Sequence, residues 1–517
     1  MQPVALIVRD GWGYRKEPEG NAVLAANTPN LDSYRSNYPW VLIEASGEPV
    51  GLPDGYQGSS EVGHLNMGAG RIVIQELKRI NDGMVDGSFF GARDFQALVQ
   101  NCNAHNSRLH LMGLLQDEGV HAHCDQMFKI MRALREQGVG EIIVHVFTDG
   151  RDTPPRSALH YLHDLNDVLK QLGNCRIGTL MGRYYSMDRS RNWDLTSLAF
   201  ECIVNGTGQK AERAELAVQE AYANDKTPDG VDMFDEYIPP HVIGDYDGVR
   251  DGDSVLHTNF RQDRAIQLSM AFVEDKYPGE RSRRPDCLYV GLTRYYDDFP
   301  RFILAAINAG IGMKNLLGEV ISKKHLKQLR LAETQKYRHV TSFFNGKSTK
   351  PYPGEDDIEI KSQYDPATFA SHPAMNAFDV RDRFLELVKG GCNYSFILIN
   401  FANCDMVGHT GDMTAAIKAV EVVDECVGDC VRRLLELGGE ILVTADHGNA
   451  EEMIELTTHR VKTSHSRNPV ELIYISKQAK GKSLKSGGKL ADVAPTILKL
   501  MEIDIPPDMT ATQLIEE

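Results

Sequence analysis

Residues 4–10 read Val-Ala-Leu-Ile-Val-Arg-Asp, five apolar side chains in succession followed by two charged ones. So short a run, apolar on both faces and ended by polar residues, is the pattern of a strand buried in a parallel sheet. The same kind of ending recurs at ILINFANCD (397–405), EILVTADH (440–447), IIVHVFTDGRD (142–152) and SVLHTNFRQDR (254–264). Strands are predicted at Val4–Val8, Arg108–Leu115, Glu141–Phe147, Cys175–Leu180, Ser254–Asn259, Cys287–Leu292, Ser395–Asn400, Glu440–Thr444 and Glu471–Ser476. Between them Ser157–Leu172 and Thr414–Leu437 carry apolar residues at helical spacing. This alternation predicts an α/β protein with largely parallel sheets. In such sheets ligands bind beyond the carboxyl ends of the strands, so endings scattered in sequence can meet in space.

The endings divide by chemistry. Acidic and His residues end the runs near the N-terminus and after residue 400, whereas arginines end those between residues 120 and 265. The division predicts two α/β domains: a discontinuous one of residues 1–76 and 312–517, and an inserted one of residues 77–311. Hinges are expected near Gln75–Lys78 and in Leu304–Gly312.

Composition narrows the function. The 517 residues are 42% hydrophobic and 25% charged, ordinary globular usage with room for a large core. A net charge of −16 argues against a nucleic acid or an anionic membrane held by bulk electrostatics, so an anionic ligand needs a local basic site. The nine cysteines include no C-x-x-C pair and sit mostly beside apolar residues, as reduced cytosolic thiols do. Cys426 and Cys430 lie one helical turn apart and read as buried spectators. The apolar run at the N-terminus is too short for a signal peptide, and nothing approaches a membrane span; a cytoplasmic protein is expected.

Three constellations carry chemistry. The first is Asp10, Asp405-x-x-x-His409, Asp446-His447 and His465, carboxylate and imidazole donors of the kind Mn²⁺ and Zn²⁺ accept. Singly, an Asp beside a helix start is a cap and a His is a solvated side chain; together they point to a two-metal site. The pattern of surrounding residues, rather than chemistry, favours His465 over His459. The second is Gly55–Gly70, a loop with five glycines and the serines Ser59 and Ser60, either of which suits a metal-activated nucleophile. The third is His121, Arg151, Asp152, Arg183, Arg189, Arg261 and Arg264, arginine forks that suit a small, multiply anionic substrate. Lys336, from the other lobe, suits a point charge on a transferring phosphoryl group.

These residues resemble the cofactor-independent (2,3-bisphosphoglycerate-independent) phosphoglycerate mutases of the alkaline phosphatase superfamily. The resemblance spans nearly the whole chain: DGWG at Asp10, GSSEVGHLNMGAGR at Gly58, GVHAH at Gly119, DGRDTPP at Asp149, GRYYSMDR at Gly182, NFRQDR at Asn259, AETQKY at Ala332, CDMVGHTGD at Cys404, TADHGNAE at Thr444, HSRNPV at His465 and ADVAPTIL at Ala491. Ser59 stands where the family usually has Asn.

The resemblance implies an alkaline-phosphatase-like metal domain with an inserted transferase domain, and Ser60 as the phosphorylated nucleophile. It implies one metal on Asp405, His409 and His465, and another on Asp10, Ser60, Asp446 and His447. His121, Arg151, Asp152, Arg183, Arg189, Arg261, Arg264 and Lys336 match substrate-binding positions, with Asp152 the acid/base and Lys336 beside the phosphoryl group. The implied reaction is glycolytic, 3-phosphoglycerate to 2-phosphoglycerate, without 2,3-bisphosphoglycerate. Two divalent ions are expected, Mn²⁺ first among them, with Mg²⁺, Co²⁺ or Zn²⁺ able to use the same donors. The partner is a small molecule, and a hinged two-lobe chain of this size is expected to work as a monomer. Activity is expected to fall below about pH 6.5, where ligand imidazoles protonate. A metal-dependent phosphomonoesterase, a pentose-phosphate mutase and a metal-binding protein without turnover are the competing readings.

Overall fold

The computed structural model describes residues 2–228, 230–296, 298–304, 313–364, 366–457, 459–479 and 481–516. The chain forms two compact units, Met1–Gln75 with Asn308–Glu517, and Glu76–Ile307. A helix, Glu76–Val85, begins at the first change of unit. Of the second expected hinge, residues 305–312 lie outside the described residues.

The first unit is built on an eight-stranded sheet. Five strands run parallel in the order Glu355–Ile360, Gln328–Glu333, Phe396–Phe401, Val4–Arg9, Glu440–Thr444. Val470–Ile475 then pairs antiparallel with Glu440–Thr444, followed by Trp40–Glu44 and Gly488–Lys489. Val4–Arg9 and Phe396–Phe401 are buried along their whole length, as central parallel strands must be when both faces are covered. The 24-residue helix Met413–Glu436 lays Val420, Val423, Val427, Val431 and Leu434 into this core; Asp412 caps it by accepting the Ala415 amide at 3.0 Å.

The second unit has its own eight-stranded sheet, in the order Phe302–Leu304, Leu288–Thr293, Ser254–His257, Leu109–Leu114, Ile142–Thr148, Cys175–Gly182, His241–Ile243, Gln209–Ala211. All pairings are parallel except that of Cys175–Gly182 with His241–Ile243. The α/β class expected from the alternation of runs is the class observed.

All nine predicted strands form, but four further strands of the first sheet escaped the pattern, the two-residue Gly488–Lys489 among them. Gln328–Glu333 is one of them, and it is buried throughout despite holding Arg330. That guanidinium is fully buried between the rings of Phe344 and Phe396, 4.9 Å from each, and donates to Gln328 Oε1 at 2.6 Å. A charged residue in mid-strand breaks an apolar run on paper, although in space it is sandwiched between two rings and pairs with Glu355 at 3.5 Å. Glu355–Ile360 reads EDDIEI and is mostly acidic, whereas Trp40–Glu44 reads WVLIE, apolar except for Glu44 but only partly buried near the edge of the sheet. The stretch read as a Gly/Ser loop is a loop only to Ser59; Ser60–Ala69 is a helix whose N-cap, Ser59, accepts the Val62 amide. The cap signal was present in the serines, but the glycines outweighed it. All nine cysteines are free thiols, and Cys426 and Cys430 are buried in Met413–Glu436. Among the described residues no helix is long and apolar enough to cross a membrane.

Candidate active site

In the first unit the carboxyl ends of four adjacent parallel strands deliver one residue set. Val4–Arg9 leads to Asp10, Phe396–Phe401 to Asp405, Glu440–Thr444 to Asp446 and His447, and Gln328–Glu333 to Lys336. Val470–Ile475 runs the opposite way, with Ile473 opposite Val443, so the residues preceding it, His465 among them, arrive at the same end. Trp40–Glu44 runs antiparallel to Val470–Ile475, so its continuation toward Ser60 reaches that end too.

Two ligand sets result. Asp405 Oδ1 lies 3.1 Å from both His409 Nε2 and His465 Nε2, which are themselves 3.1 Å apart. Donor atoms bonded to one ion at about 2.1 Å sit about 3.0–3.4 Å from one another, so this triangle fits a divalent cation. The second set brings together Asp10, Asp446 and His447. Ser60 Oγ adjoins it, 2.9 Å from His447 Nε2 and 3.2 Å from Asp10 Oδ1.

Each histidine is turned the same way. Nδ1 of His409 meets the Thr463 carbonyl at 2.6 Å, Nδ1 of His465 the Gly58 carbonyl at 2.8 Å, and Nδ1 of His447 the Gly448 carbonyl at 3.2 Å. A carbonyl only accepts, so Nδ1 carries the proton in each and Nε2 faces the centre, as metal-ligating imidazoles are held. Asp446 Oδ2, fully buried, has no hydrogen-bond partner, a further sign of a place suited to a cation.

Lys336 Nζ joins the sets, 2.5 Å from Ser60 Oγ, 2.6 Å from Asp10 Oδ1 and 2.7 Å from Asp405 Oδ2. Burial would lower its pKa, but Asp10, Asp405 and Asp446 outweigh burial and raise it. Burial alone would likewise raise Asp10 and Asp405; Lys336 overcomes this, with His447 helping at Asp10 and His409 at Asp405, and both carboxyls sit well below the usual range. His447 is pushed up to about 10, because Asp446, Asp405 and Asp10 overcome the effect of burial. Burial and the charge of His447 push His465 down, whereas Asp405 raises His409 against its own burial. His459 lies apart on the surface against Glu19, at 2.9 Å.

In the second unit the arginine set stands beyond the carboxyl ends of four neighbouring strands: Ser254–His257, Leu109–Leu114, Ile142–Thr148 and Cys175–Gly182. Arg183 Nη1 bridges Asp149 Oδ1 at 2.7 Å and Asp152 Oδ2 at 2.6 Å, and His121 Nε2 lies 3.8 Å from the latter atom. Asp263 pairs with Arg189 at 2.6 Å and Arg261 at 3.1 Å; Glu236 pairs with Arg151 at 2.8 Å. Arg264 is pushed down to about 10, by burial first and then by the charges of Arg183, Arg189 and Arg151. Burial and the neighbouring Arg183 and Arg261 push His121 down to about 2, so its imidazole is neutral at physiological pH. Positive charge in excess of its partners is what a multiply anionic ligand requires.

Several partners of these residues were not singled out from sequence. His64 Nδ1 lies 2.9 Å from the Ser60 carbonyl and 3.3 Å from Asp446 Oδ2; Asn400 Nδ2 donates to Asp10 Oδ2 at 2.8 Å. Asp149, Glu236 and Asp263 orient the arginines, and Glu451 is buried behind the ligand loops. A polar residue close to a predicted ligand inside an otherwise apolar motif was the available signal.

Fold and site together define a metal-dependent enzyme, and the family model described as "Metalloenzyme superfamily" matches residues 2–505. The chain is 46% identical, over 99% of its length and 98% of the relative's, to 2,3-bisphosphoglycerate-independent phosphoglycerate mutase 1 of Methanosarcina acetivorans. It is 43% identical to the 2,3-bisphosphoglycerate-independent phosphoglycerate mutase of Clostridioides difficile, over 100% and 99% of the two chains. A crystal structure of Leishmania mexicana phosphoglycerate mutase at low cobalt concentration superposes with a TM-score of 0.78 at 30% identity, covering 100% and 98%. The chain belongs to the 2,3-bisphosphoglycerate-independent phosphoglycerate mutase family.

Proposed function

We propose that the chain interconverts 3-phosphoglycerate and 2-phosphoglycerate through a phosphoserine on Ser60, at a site for two divalent cations and without 2,3-bisphosphoglycerate. The observation that carries this reading is the buried contact of Ser60 Oγ with Lys336 Nζ, His447 Nε2 and Asp10 Oδ1. Asp405, His409 and His465 would hold one cation, and Asp10, Ser60, Asp446 and His447 the other, with Mn²⁺ the best match to mixed oxygen and nitrogen donors. Bound there, the cations would acidify the serine hydroxyl and neutralise charge on the phosphoryl oxygens.

The chain's own residues do the rest. Ser60 opens a ten-residue helix, so peptide N–H groups and the helix dipole favour negative charge at its side chain. Lys336 adds a fixed positive charge at the same oxygen. The arginines of the second unit bind the carboxylate and phosphate of the substrate, and neutral His121 contributes hydrogen bonds. Ser60 reacts as its deprotonated oxygen and Asp152 enters the step carrying a proton: the phosphoryl group leaves one glycerate oxygen for Ser60 Oγ, and that glycerate oxygen takes the proton from Asp152, which is left ionised. The retained glycerate reorients; its other hydroxyl then attacks phosphorus and returns a proton to Asp152, regenerating Ser60 with no water consumed. The net charge of −16 and nine free thiols support a cytoplasmic enzyme with a small-molecule partner only. Both residue sets lie on one chain, which supports a monomer.

The test is conversion of 3-phosphoglycerate by purified protein without added 2,3-bisphosphoglycerate, with and without EDTA, then with Mn²⁺ restored. Chelator-sensitive isomerisation rescued by Mn²⁺ is expected. Release of inorganic phosphate alone would identify a phosphatase, and no turnover with any divalent metal would overturn the enzymatic reading.

A further inference from the structure

Glu451 is fully buried, and its carboxylate collects donors from three separate loops. Oε2 accepts the Gly13 amide at 3.0 Å and the Asn449 amide at 2.9 Å. Oε1 accepts the Ser466 hydroxyl and, at 2.9 Å, Asn468 Nδ2. Gly13 lies three residues beyond Asp10, Asn449 two beyond His447, and Ser466 next to His465. One side chain thus ties together the loops that carry members of both ligand sets. Backbone bonds lace the same loops, Ala450 N to Gly11 O at 3.1 Å and Ser466 N to Gly448 O at 2.9 Å. The approach is close enough to dictate two glycines. A Cβ on Gly13 would lie 2.3 Å from Glu451 Cδ, and one on Gly448 2.3 Å from Oε1.

We propose that Glu451 is the positioning residue that preassembles the cation site. It touches no candidate ligand atom; it sets the distances between loops before a cation arrives, so part of the ordering cost is met during folding. A carboxylate suits this place because it only accepts. In Glu451→Gln the amide NH₂ faces the Gly13 and Asn449 N–H groups if turned one way and Asn468 Nδ2 beside the Ser466 hydroxyl if turned the other, so at least one donor is opposed in either orientation and those loops part. The inference rests on the two-cation reading above.

The test is calorimetric titration of the full, metal-stripped chain with Mn²⁺, for the wild type, Glu451→Gln and Ser466→Ala, with thermal melting in EDTA alongside. Glu451→Gln is expected to weaken Mn²⁺ binding about 10- to 100-fold, and Ser466→Ala to weaken it in the same direction. The KM for 3-phosphoglycerate at saturating Mn²⁺ is expected to stay at the wild-type value. A folded variant that melts earlier in EDTA yet binds Mn²⁺ as the wild type does would show a merely structural glutamate and overturn the proposal. If Glu451→Gln does not fold, Ser466→Ala decides by the same criterion. A wild type that binds no Mn²⁺ would instead overturn the two-cation reading itself.

Discussion

Lys336 Nζ lies 2.5 Å from Ser60 Oγ and is held there by Asp10 Oδ1 at 2.6 Å and Asp405 Oδ2 at 2.7 Å. The lysine is 3% exposed and the two carboxylates no more than 2%, so each charge depends on the others for compensation. A cation that competes for the carboxylates would leave the ammonium to the serine and to whatever that serine carries.

Replacing this lysine separates its two roles. Lys336→Met is expected to destabilise the metal-free chain by about 3–5 kcal/mol, because two buried carboxylates lose their partner. Mn²⁺ should restore most of that loss, while kcat stays at least about 100-fold down for want of the fixed charge at the phosphoryl oxygens. Melting with EDTA and with Mn²⁺ reads the first effect and isomerase assays the second; an equal loss of stability in both conditions would count against it.

Adjacent serines have different tasks. Ser59→Ala is expected to lose about 0.5–2 kcal/mol of stability through the missing helix cap and to retain turnover. Ser60→Ala should keep its melting temperature, lose isomerisation and take up no label from ³²P-phosphoglycerate. Near wild-type activity in Ser60→Ala would sink the phosphoserine scheme.

His447 sets the pH dependence of metal binding. Burial opposes its charge, but Asp446, Asp405 and Asp10 raise it to about 10, well above an unfolded value of about 6.5. Protonated His447 therefore stabilises the metal-free fold fully below about pH 6.5, and that contribution is lost as the pH rises through about 10. A cation needs the neutral Nε2, so Mn²⁺ binding should expel a proton at neutral pH, and affinity should still be climbing between about pH 7 and about pH 9. Calorimetry in buffers of different ionisation enthalpy measures the proton; an affinity flat across that range would refute the assignment. The expectation of a break near pH 6.5 thus shifts upward for the metal-free chain.

Arg183 and Asp152 should fail differently. Asp152→Asn removes the proton acceptor and is expected to lower kcat by about 10²- to 10⁴-fold with little change in KM. Arg183→Lys keeps the charge but loses the planar guanidinium, whose Nη1 meets both Asp149 and Asp152 while its other donors are left for the substrate, so kcat and KM should both worsen. Steady-state kinetics on both variants distinguish these outcomes; a KM-only effect in Asp152→Asn would remove it from the proton-transfer role.

Much of the framework was legible because central parallel strands leave short, strong apolar runs, and the residues that follow them fall at one end of a sheet. Val4–Arg9 with Asp10 and Glu440–Thr444 with Asp446 are read correctly for that reason. Gln328–Glu333 was missed because Arg330 is compensated by Gln328, Phe344 and Phe396, partners up to 66 positions away. His459 and His465 are alike as a residue type, and the pattern of surrounding residues alone favoured His465; its meeting with Asp405 and His409 at 3.1 Å gives the physical distinction.

What the chain's sequence determined alone was local and periodic: runs that bury as strands, the helix Met413–Glu436, and a repertoire of carboxylates, imidazoles, hydroxyls and arginines placed after them. What only the tertiary structure decided was relational. The orientation of each imidazole, the place of Lys336 between Asp10 and Asp405, and the grip of Glu451 on three loops depend on strand order and register. Many of these contacts join residues tens to hundreds of positions apart, and their distances are set by how sheets and loops pack, not by the spacing of letters in the chain.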